Sequence, residues 1–306
     1  MRATFNRLAG RRSGLVARII IGLLAAILPT GVALAQQAPP GASSRYLSRF
    51  QVTTVSGTVD LVQSGADFAA GVATPDFAYS GPAYNTVMAG QITVRAGGAS
   101  KVYKPGETWT DQAGQAHSLV NEGQNHAIVY TSVLLPGGAN LTMTPGAAAQ
   151  SAPAGPASLF LTRFASLNPP SPLDLVQVEL SQQPGGWTAV HSHPGATYTT
   201  VIAGTLMQRS NGQDTTYGPG QSWVLPGGQV HAVENVGSTT SVALSTFLIP
   251  RSATQVTHPV ADAPSTLPVT GAAGLWPDYG WLAALALVVL AGGAAVVRLR
   301  RRGPAA

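Results

Sequence analysis

A chain of 306 residues can hold two domains, and its 45% hydrophobic content is ample for two cores. Only 9% of residues are charged while there are 35 Gly and 23 Pro, which argues against a helical bundle with charged outer faces and for short strands joined by turns. The net charge of +5 does not describe a nucleic-acid surface: five Arg precede residue 36, four follow residue 297, and residues 36–270 carry eight Lys or Arg against eleven Asp or Glu, a net −3. Cys is absent, which excludes disulfides and thiolate ligands and suits an exported chain.

Residues 1–35 have the order of a secretory signal. Arg2, Arg7, Arg11, Arg12 and Arg18 precede an apolar run, Ile19 to Leu28, and then Ala33-Leu34-Ala35, so cleavage is expected before Gln36. Ten apolar residues are too few to span a bilayer. Arg11-Arg12 with Leu15 loosely resembles a twin-arginine signal, from which Gly10 and Gly14 depart.

The middle of the chain repeats itself at an offset of 114 residues without a gap. Arg49-Phe50 matches Arg163-Phe164, Asp60-Leu61-Val62-Gln63 matches Asp174-Leu175-Val176-Gln177, and Gly71 matches Gly185. The register continues through Tyr84 with Tyr198, Gly90 with Gly204, Trp109 with Trp223, His117 with His231, Asn121 with Asn235 and Pro136 with Pro250. One fold unit of about 90 to 95 residues therefore occurs twice, too long a period for a solenoid. The units are expected at 45–137 and 158–250, with an Ala/Gly/Pro/Ser-rich linker at 138–157.

Each unit predicts strands and no helix. Thr199–Ile202 and Ser222–Leu225 are β-prone runs, and Asn211-Gly212 is a type I′ hairpin signal whose counterpart is Gly97-Gly98. In a strand, residues two apart share a face, so His191 and His193 enter a barrel together, and Trp187 is expected on their face. His231 on another strand supplies a third nitrogen. Three imidazoles with open positions suit zinc, iron, copper or nickel.

These residues resemble the cupins, whose two motifs are G-x5-H-x-H-x3-4-E-x6-G and G-x5-P-x-G-x2-H-x3-N. Gly185, His191, His193 and Gly204 fit the first, with Thr197 where the family has Glu; Gly220, Pro226, Gly228, His231 and Asn235 fit the second. With the repeat, the resemblance covers residues 45 to 250 and implies an all-β bicupin of two tandem double-stranded β-helix (jelly-roll) barrels. It also implies a metal on His191, His193 and His231 and a small-molecule pocket, with pairing through sheet edges as a route to a dimer. Thr197 removes an anionic ligand, which weakens the attraction for hard Mn²⁺ most. Glu179 is the carboxylate that could replace it, and Trp187, Thr197 and Glu179 are the pocket candidates. In the first unit Phe77, Tyr79 and Ala83 stand at the positions of His191, His193 and Thr197, leaving His117 alone in a barrel filled by apolar area. His126 and His258 fit no motif and are expected in solvent. Three readings follow: a metal- and ligand-binding bicupin, a three-His iron dioxygenase, and a metal-free surface binding or scaffolding module.

Residues 251–270 predict a Pro/Ala/Thr stalk that ends in Leu267-Pro268-Val269-Thr270-Gly271. An uncharged run from Trp281 to Val297 and then Arg298, Arg300, Arg301 and Arg302 follow. The order resembles the LPxTG sorting signal, which implies a sortase as partner and a cell-wall attachment. Seventeen residues reach the lower limit of a membrane helix, so residues 271–306 also read as a transmembrane tail and the plain alternative is a membrane anchor. Both expect the barrels outside the cell.

Overall fold

The computed structural model describes residues 41–52, 55–143 and 155–260, all within one compact unit, Ala38–Ala306. The expected signal, most of the linker, the sorting motif and the apolar tail lie outside the described residues. Among the described residues every regular element is a strand, and no helix is long and apolar enough to cross a membrane.

The first repeat contributes β1 (Ala42–Val52), β2 (Val59–Phe68), β3 (Ala78–Tyr79), β4 (Ala83–Ala89), β5 (Ile92–Ala96), β6 (Ala99–Tyr103), β7 (Thr108–Asp111), β8 (His117–Val120), β9 (Ala127–Pro136) and β10 (Thr142–Met143). The second contributes β11 (Ala157–Leu167), β12 (Leu173–Gln182), β13 (His191–Ser192), β14 (Ala196–Ala203), β15 (Leu206–Ser210), β16 (Gln213–Tyr217), β17 (Ser222–Leu225), β18 (His231–Asn235), β19 (Ser241–Pro250) and β20 (His258–Pro259). Asn211 and Gly212 take φ of 51° and 70°, the two positive angles of a type I′ turn, and join β15 to β16 rather than the two β-prone runs on either side. Gly97 and Gly98 do the same between β5 and β6.

The strands form two facing layers per barrel. In the second barrel the sheets run β1-β12-β19-β14-β17 and β16-β15-β18-β13-β20; in the first they run β11-β2-β9-β4-β7, β6-β5-β8 and the short pair β10-β3. Hydrogen bonding thus crosses the boundary between the repeats. β1 lies along β12 in the second barrel, and β11 lies along β2 in the first, so the repeats exchange their first strands.

The exchange explains why Arg-Phe and Asp-Leu-Val-Gln recur 114 residues apart. Arg49 on β1 pairs with Asp174 of the second barrel, and Arg163 on β11 pairs with Asp60 of the first. Asp60 also accepts from the amides of Ser166 and Gly138, and these bonds hold its carboxyl below the usual range despite burial. Gln63 donates to the Tyr198 carbonyl (3.0 Å) and Thr246 Oγ1 (2.7 Å) and accepts from Thr200; Gln177 donates to the Tyr84 carbonyl (3.0 Å) and Ser132 Oγ (2.9 Å) and accepts from Thr86. Ser132 and Thr246, themselves 114 residues apart, bond to one another at 3.0 Å. A pseudo-twofold axis therefore passes between the sheets β1-β12-β19-β14-β17 and β11-β2-β9-β4-β7.

Apolar residues pack around that polar centre as symmetric pairs, Leu61 with Leu175, Tyr84 with Tyr198 and Leu134 with Leu248. Met88 with Ile202 and Ile128 with Val242 extend the seam. The opposite face of each sheet looks into its own barrel. There Trp109, Val87 and Ile92 fill the first and Trp223, Val201 and Leu206 the second.

Candidate metal centre

His191 opens β13 and pairs directly with His231 on β18, while His193 follows one residue after β13. Directly opposed strand residues point the same way, so the two-residue spacing brings all three rings to one place. Their centroids lie 4.3 Å (His191–His231), 4.8 Å (His191–His193) and 5.1 Å (His193–His231) apart. The donor nitrogens lie within 4.8 Å of one another, and this group of described residues contains three histidines and no carboxylate.

Backbone carbonyls set the protonation of each ring. Nδ1 of His191 meets the Ala189 carbonyl at 2.6 Å, that of His193 the Val256 carbonyl at 2.8 Å, and that of His231 the Gln229 carbonyl at 3.0 Å. A carbonyl only accepts, so each Nδ1 carries the hydrogen and each Nε2 presents its lone pair. Burial keeps the rings neutral: His193 is pushed down to about 3 and His231 to about 4, chiefly by desolvation and then by neighbouring imidazoles, and His191 is lowered by desolvation. Three neutral, convergent, tautomer-locked imidazoles fit a borderline divalent metal. Metal–nitrogen bonds of about 2.0–2.1 Å in a tetrahedral set would hold the nitrogens about 3.3 Å apart, inside the 4.8 Å that bounds their present separations.

The sequence motif glycines and Asn act on the frame. Gly228, at φ 80°, donates its amide to the His193 carbonyl at 2.7 Å and so holds the end of β13. Asn235 donates to the carbonyls of Gln182 and Thr239 and accepts from the Gly237 amide, tying a turn; Asn121 makes the same set in the first barrel. Residues expected to start the stalk instead belong to the site. Val260 donates to the Val190 carbonyl, β20 pairs with β13, and between them and the last barrel strand Val256 supplies the carbonyl that orients His193. His258, on this strap, is exposed as expected, whereas His126, about half exposed, bonds Asp67 through Nδ1 at 2.8 Å.

The pocket candidates separate. Thr197 on β14 pairs with Leu225 and Phe247, and Phe247 packs edge-to-face against His193 with centroids 4.5 Å apart. The Thr197 hydroxyl therefore faces the barrel interior, where it is buried and without a hydrogen-bond partner. Glu179 does not: it sits on β12 at the parity of Leu175 and Gln177, opposite Leu244, and so faces the seam between the barrels. It is no replacement ligand. Trp187 is also displaced. It bridges Glu234, whereas His191 pairs with His231, and a one-residue slip between these contacts reverses the parity. Glu234 is three residues from His231, so Trp187 shares the outer face of Glu234 and not the face of the histidines. Gln208 matches no motif, yet it is an interior residue of β15, paired with Val233 two rungs from the Ser210–His231 pair and so on the same face. The repeat carried its signal, because Val94 stands at the matching position.

In the first barrel His117 is not alone. Its Nδ1 meets the Gln115 carbonyl at 3.0 Å, as His231 meets Gln229, but its Nε2 faces Asp111 Oδ2 at 3.5 Å. Asp111 stands where the second barrel has Leu225, and accepts from Asn85 (2.8 Å) and the Trp109 indole (3.1 Å). Burial pushes its carboxyl up. Phe77 packs on the His117 ring at 4.3 Å, with Tyr79 at 5.8 Å, so the position of the metal is filled by side chains.

Residues 178–247 match the Cupin_2 family, described as a cupin domain. That span holds the three histidines and both motifs' central residues. No curated protein matches the chain. Solved structures with weak overall likeness include a Bacillus subtilis oxalate decarboxylase studied for its Mn(II) centres (13% identity, 70% of this chain and 78% of that one, TM-score 0.41). Others are YhaK from Escherichia coli (14%, 66% and 94%, 0.44) and AerE from Microcystis aeruginosa (12%, 70% and 99%, 0.40).

Proposed function

Proceeding from a cupin domain with three convergent histidines, we propose that the protein is a metal-binding bicupin: the second barrel holds one divalent transition metal, iron, zinc, copper or nickel, and takes a small molecule beside it. The observation that carries this reading is the set of three Nδ1–carbonyl bonds, which leaves three Nε2 lone pairs aimed at one point. Neutral imidazoles whose free nitrogens converge while their other nitrogens are held by carbonyls form the donor set of a divalent transition metal.

His191, His193 and His231 would hold the ion, and a bound metal there supplies Lewis acidity, or redox chemistry if it is iron. The chain's own part is to orient and to exclude water. The Ala189, Val256 and Gln229 carbonyls fix the rings, Phe247 packs against His193, and Val256 joins Phe247, Val176 and Ile249 in one apolar cluster.

Metal analysis of the purified protein after loading with Fe²⁺, Zn²⁺, Cu²⁺ and Ni²⁺ tests the reading. About one equivalent is expected for the native chain and near none for a His191→Ala/His193→Ala variant; equally low content in both leaves the metal-free surface module as the better account. A three-His iron dioxygenase is the second reading, favoured by the absence of a carboxylate from the ligand group, which leaves positions free for substrate. Oxygen uptake by the iron form in the presence of catechols, diketones or thiols supports it, and none of these rates rising above buffer argues for a binder.

The proposal includes export and attachment at the cell surface, in the wall through a sortase or in the membrane by the apolar tail. The Arg-led apolar start and the Leu267–Gly271 motif with its apolar run and Arg cluster support that placement. Recovery of the chain in the cytosolic fraction of its cells rejects it.

A further inference from the structure

The interior of the second barrel carries three buried polar atoms without a partner: the Thr197 hydroxyl, the Gln208 side-chain nitrogen and the Trp223 indole nitrogen. Thr197 is 3% exposed and its hydroxyl has no partner; Gln208 is 6% exposed and its side-chain nitrogen has none. Both belong to the inner face, Thr197 through its pairing with Leu225 and Phe247, and Gln208 through its pairing with Val233. They stand on different sheets, β14 in one layer and β15 in the other, so they approach the interior from opposite walls. A buried donor without an acceptor is destabilising by about 1–3 kcal/mol, and with the Trp223 indole three of them stand in one interior, of which Thr197 and Gln208 have apolar counterparts in the other barrel.

The twin barrel is the control. At the matching positions it has Ala83 and Val94, and there Phe77, Tyr79 and Asp111 fill the place of the metal. The polar pair therefore occurs where the histidine triad occurs and is absent where the triad is absent.

Charge defines what the acceptor is. The three histidines are neutral, and no described carboxylate joins them. A divalent ion held there keeps its full charge in a buried place, where an uncompensated charge is strongly unfavourable. An anionic oxygen ligand removes that penalty and meets both donors. Trp223, Leu225 and Leu206 pack inside the same barrel, and Phe247 lies against His193.

We propose that Thr197 and Gln208 are specificity-determining residues of an anion pocket, and that the metal-loaded second barrel takes a small carboxylate. This rests on the metal reading above. The Thr197 hydroxyl and the Gln208 amide donate to the carboxylate oxygens, and the metal neutralises the charge. Thr197 is thus the position at which a protein carboxylate is exchanged for one brought by the ligand.

Calorimetric titration of the zinc-loaded protein with acetate, pyruvate and the neutral isostere acetamide tests the proposal. Acetate or pyruvate is expected to bind, with acetamide at least tenfold weaker. Thr197→Ala and Gln208→Val copy residues that the first barrel already accommodates, and each is expected to weaken the carboxylate tenfold or more with zinc content unchanged. Thr197→Glu is expected to tighten zinc and abolish acetate binding. Equal acetate affinity in the native protein and both single variants, equal affinity for acetamide, or acetate binding undiminished by Thr197→Glu overturns the proposal while leaving the metal site intact. Failure of the native protein to take up zinc overturns both.

Discussion

Along the seam between the barrels, residues 114 apart make the same bonds to each other's surroundings: Gln63 and Gln177, Asp60 and Asp174, and Ser132 facing Thr246. Inside the barrels the same numbering finds opposites, with His191 against Phe77, His193 against Tyr79, Thr197 against Ala83, Gln208 against Val94 and Leu225 against Asp111. A residue at the seam touches its own twin's neighbourhood, so a change on one side spoils a contact of both. A residue inside touches only its own barrel and is free to change. The comparison teaches that the duplicated frame is coupled while the two interiors are not.

The largest effect that separates the interiors is acidification without metal. The three second-barrel histidines have folded pKa values below the ordinary value of about 6.5, so the unfolded chain binds more protons as pH falls. Their burial is therefore compatible with stability above about pH 6.5 and becomes increasingly destabilising from there down to about pH 3, on the order of several kcal/mol in all. Asp60 adds the usual carboxylate sign at lower pH, since its depressed value contributes stability that is lost as pH falls through it. Urea midpoints of the apo protein should fall between pH 6.5 and 4, and a His191→Ala/His193→Ala variant should show a much shallower fall. Identical slopes would mean that the triad is solvated in the apo state.

How far the sequence foretold this follows from what each residue touches. The triad was legible because strand parity acts on neighbours and the three histidines span only 41 residues, from His191 to His231. The repeat was legible too, but not its cause: that Gln63 and Gln177 recur because they cross the seam needs the pairing of β1 with β12 and β11 with β2. Trp187 was misplaced by a one-residue slip that leaves no mark in composition, and Glu179 by a strand whose two faces are both buried, so that hydrophobic alternation could not assign its inside. The strap was read as a stalk because its contribution to the site is a backbone carbonyl, Val256, which has no residue-type signature.

The coupled frame gives the second prediction. Gln177→Leu removes one hydrogen bond each from the Tyr84 carbonyl and the Ser132 and Thr86 hydroxyls at a buried seam, and should destabilise by about 2–3 kcal/mol. Gln63→Leu should do the same through Tyr198, Thr246 and Thr200, and the double variant should fall short of the sum because Ser132 and Thr246 share a bond. Strict additivity in denaturant unfolding would show that the two halves of the seam act independently.

The smallest effect tests whether the first barrel's interior was rebuilt or merely emptied. Asp111 accepts from Asn85 and the Trp109 indole and faces His117, whereas the twin indole, Trp223, has no partner beside Leu225. If the carboxylate organises that cluster, Asp111→Leu should destabilise by about 1 kcal/mol, because two buried donors lose their acceptor. The loss is limited by the second barrel's own precedent, which tolerates an unpaired indole at this rung, and by the desolvation that already pushes the Asp111 carboxyl up. Metal content should be unchanged, since no atom of this cluster belongs to the triad. A neutral or stabilising outcome would mean that the polar cluster does not hold the first barrel together and that Phe77 and Tyr79 alone replace what the histidines do in the second.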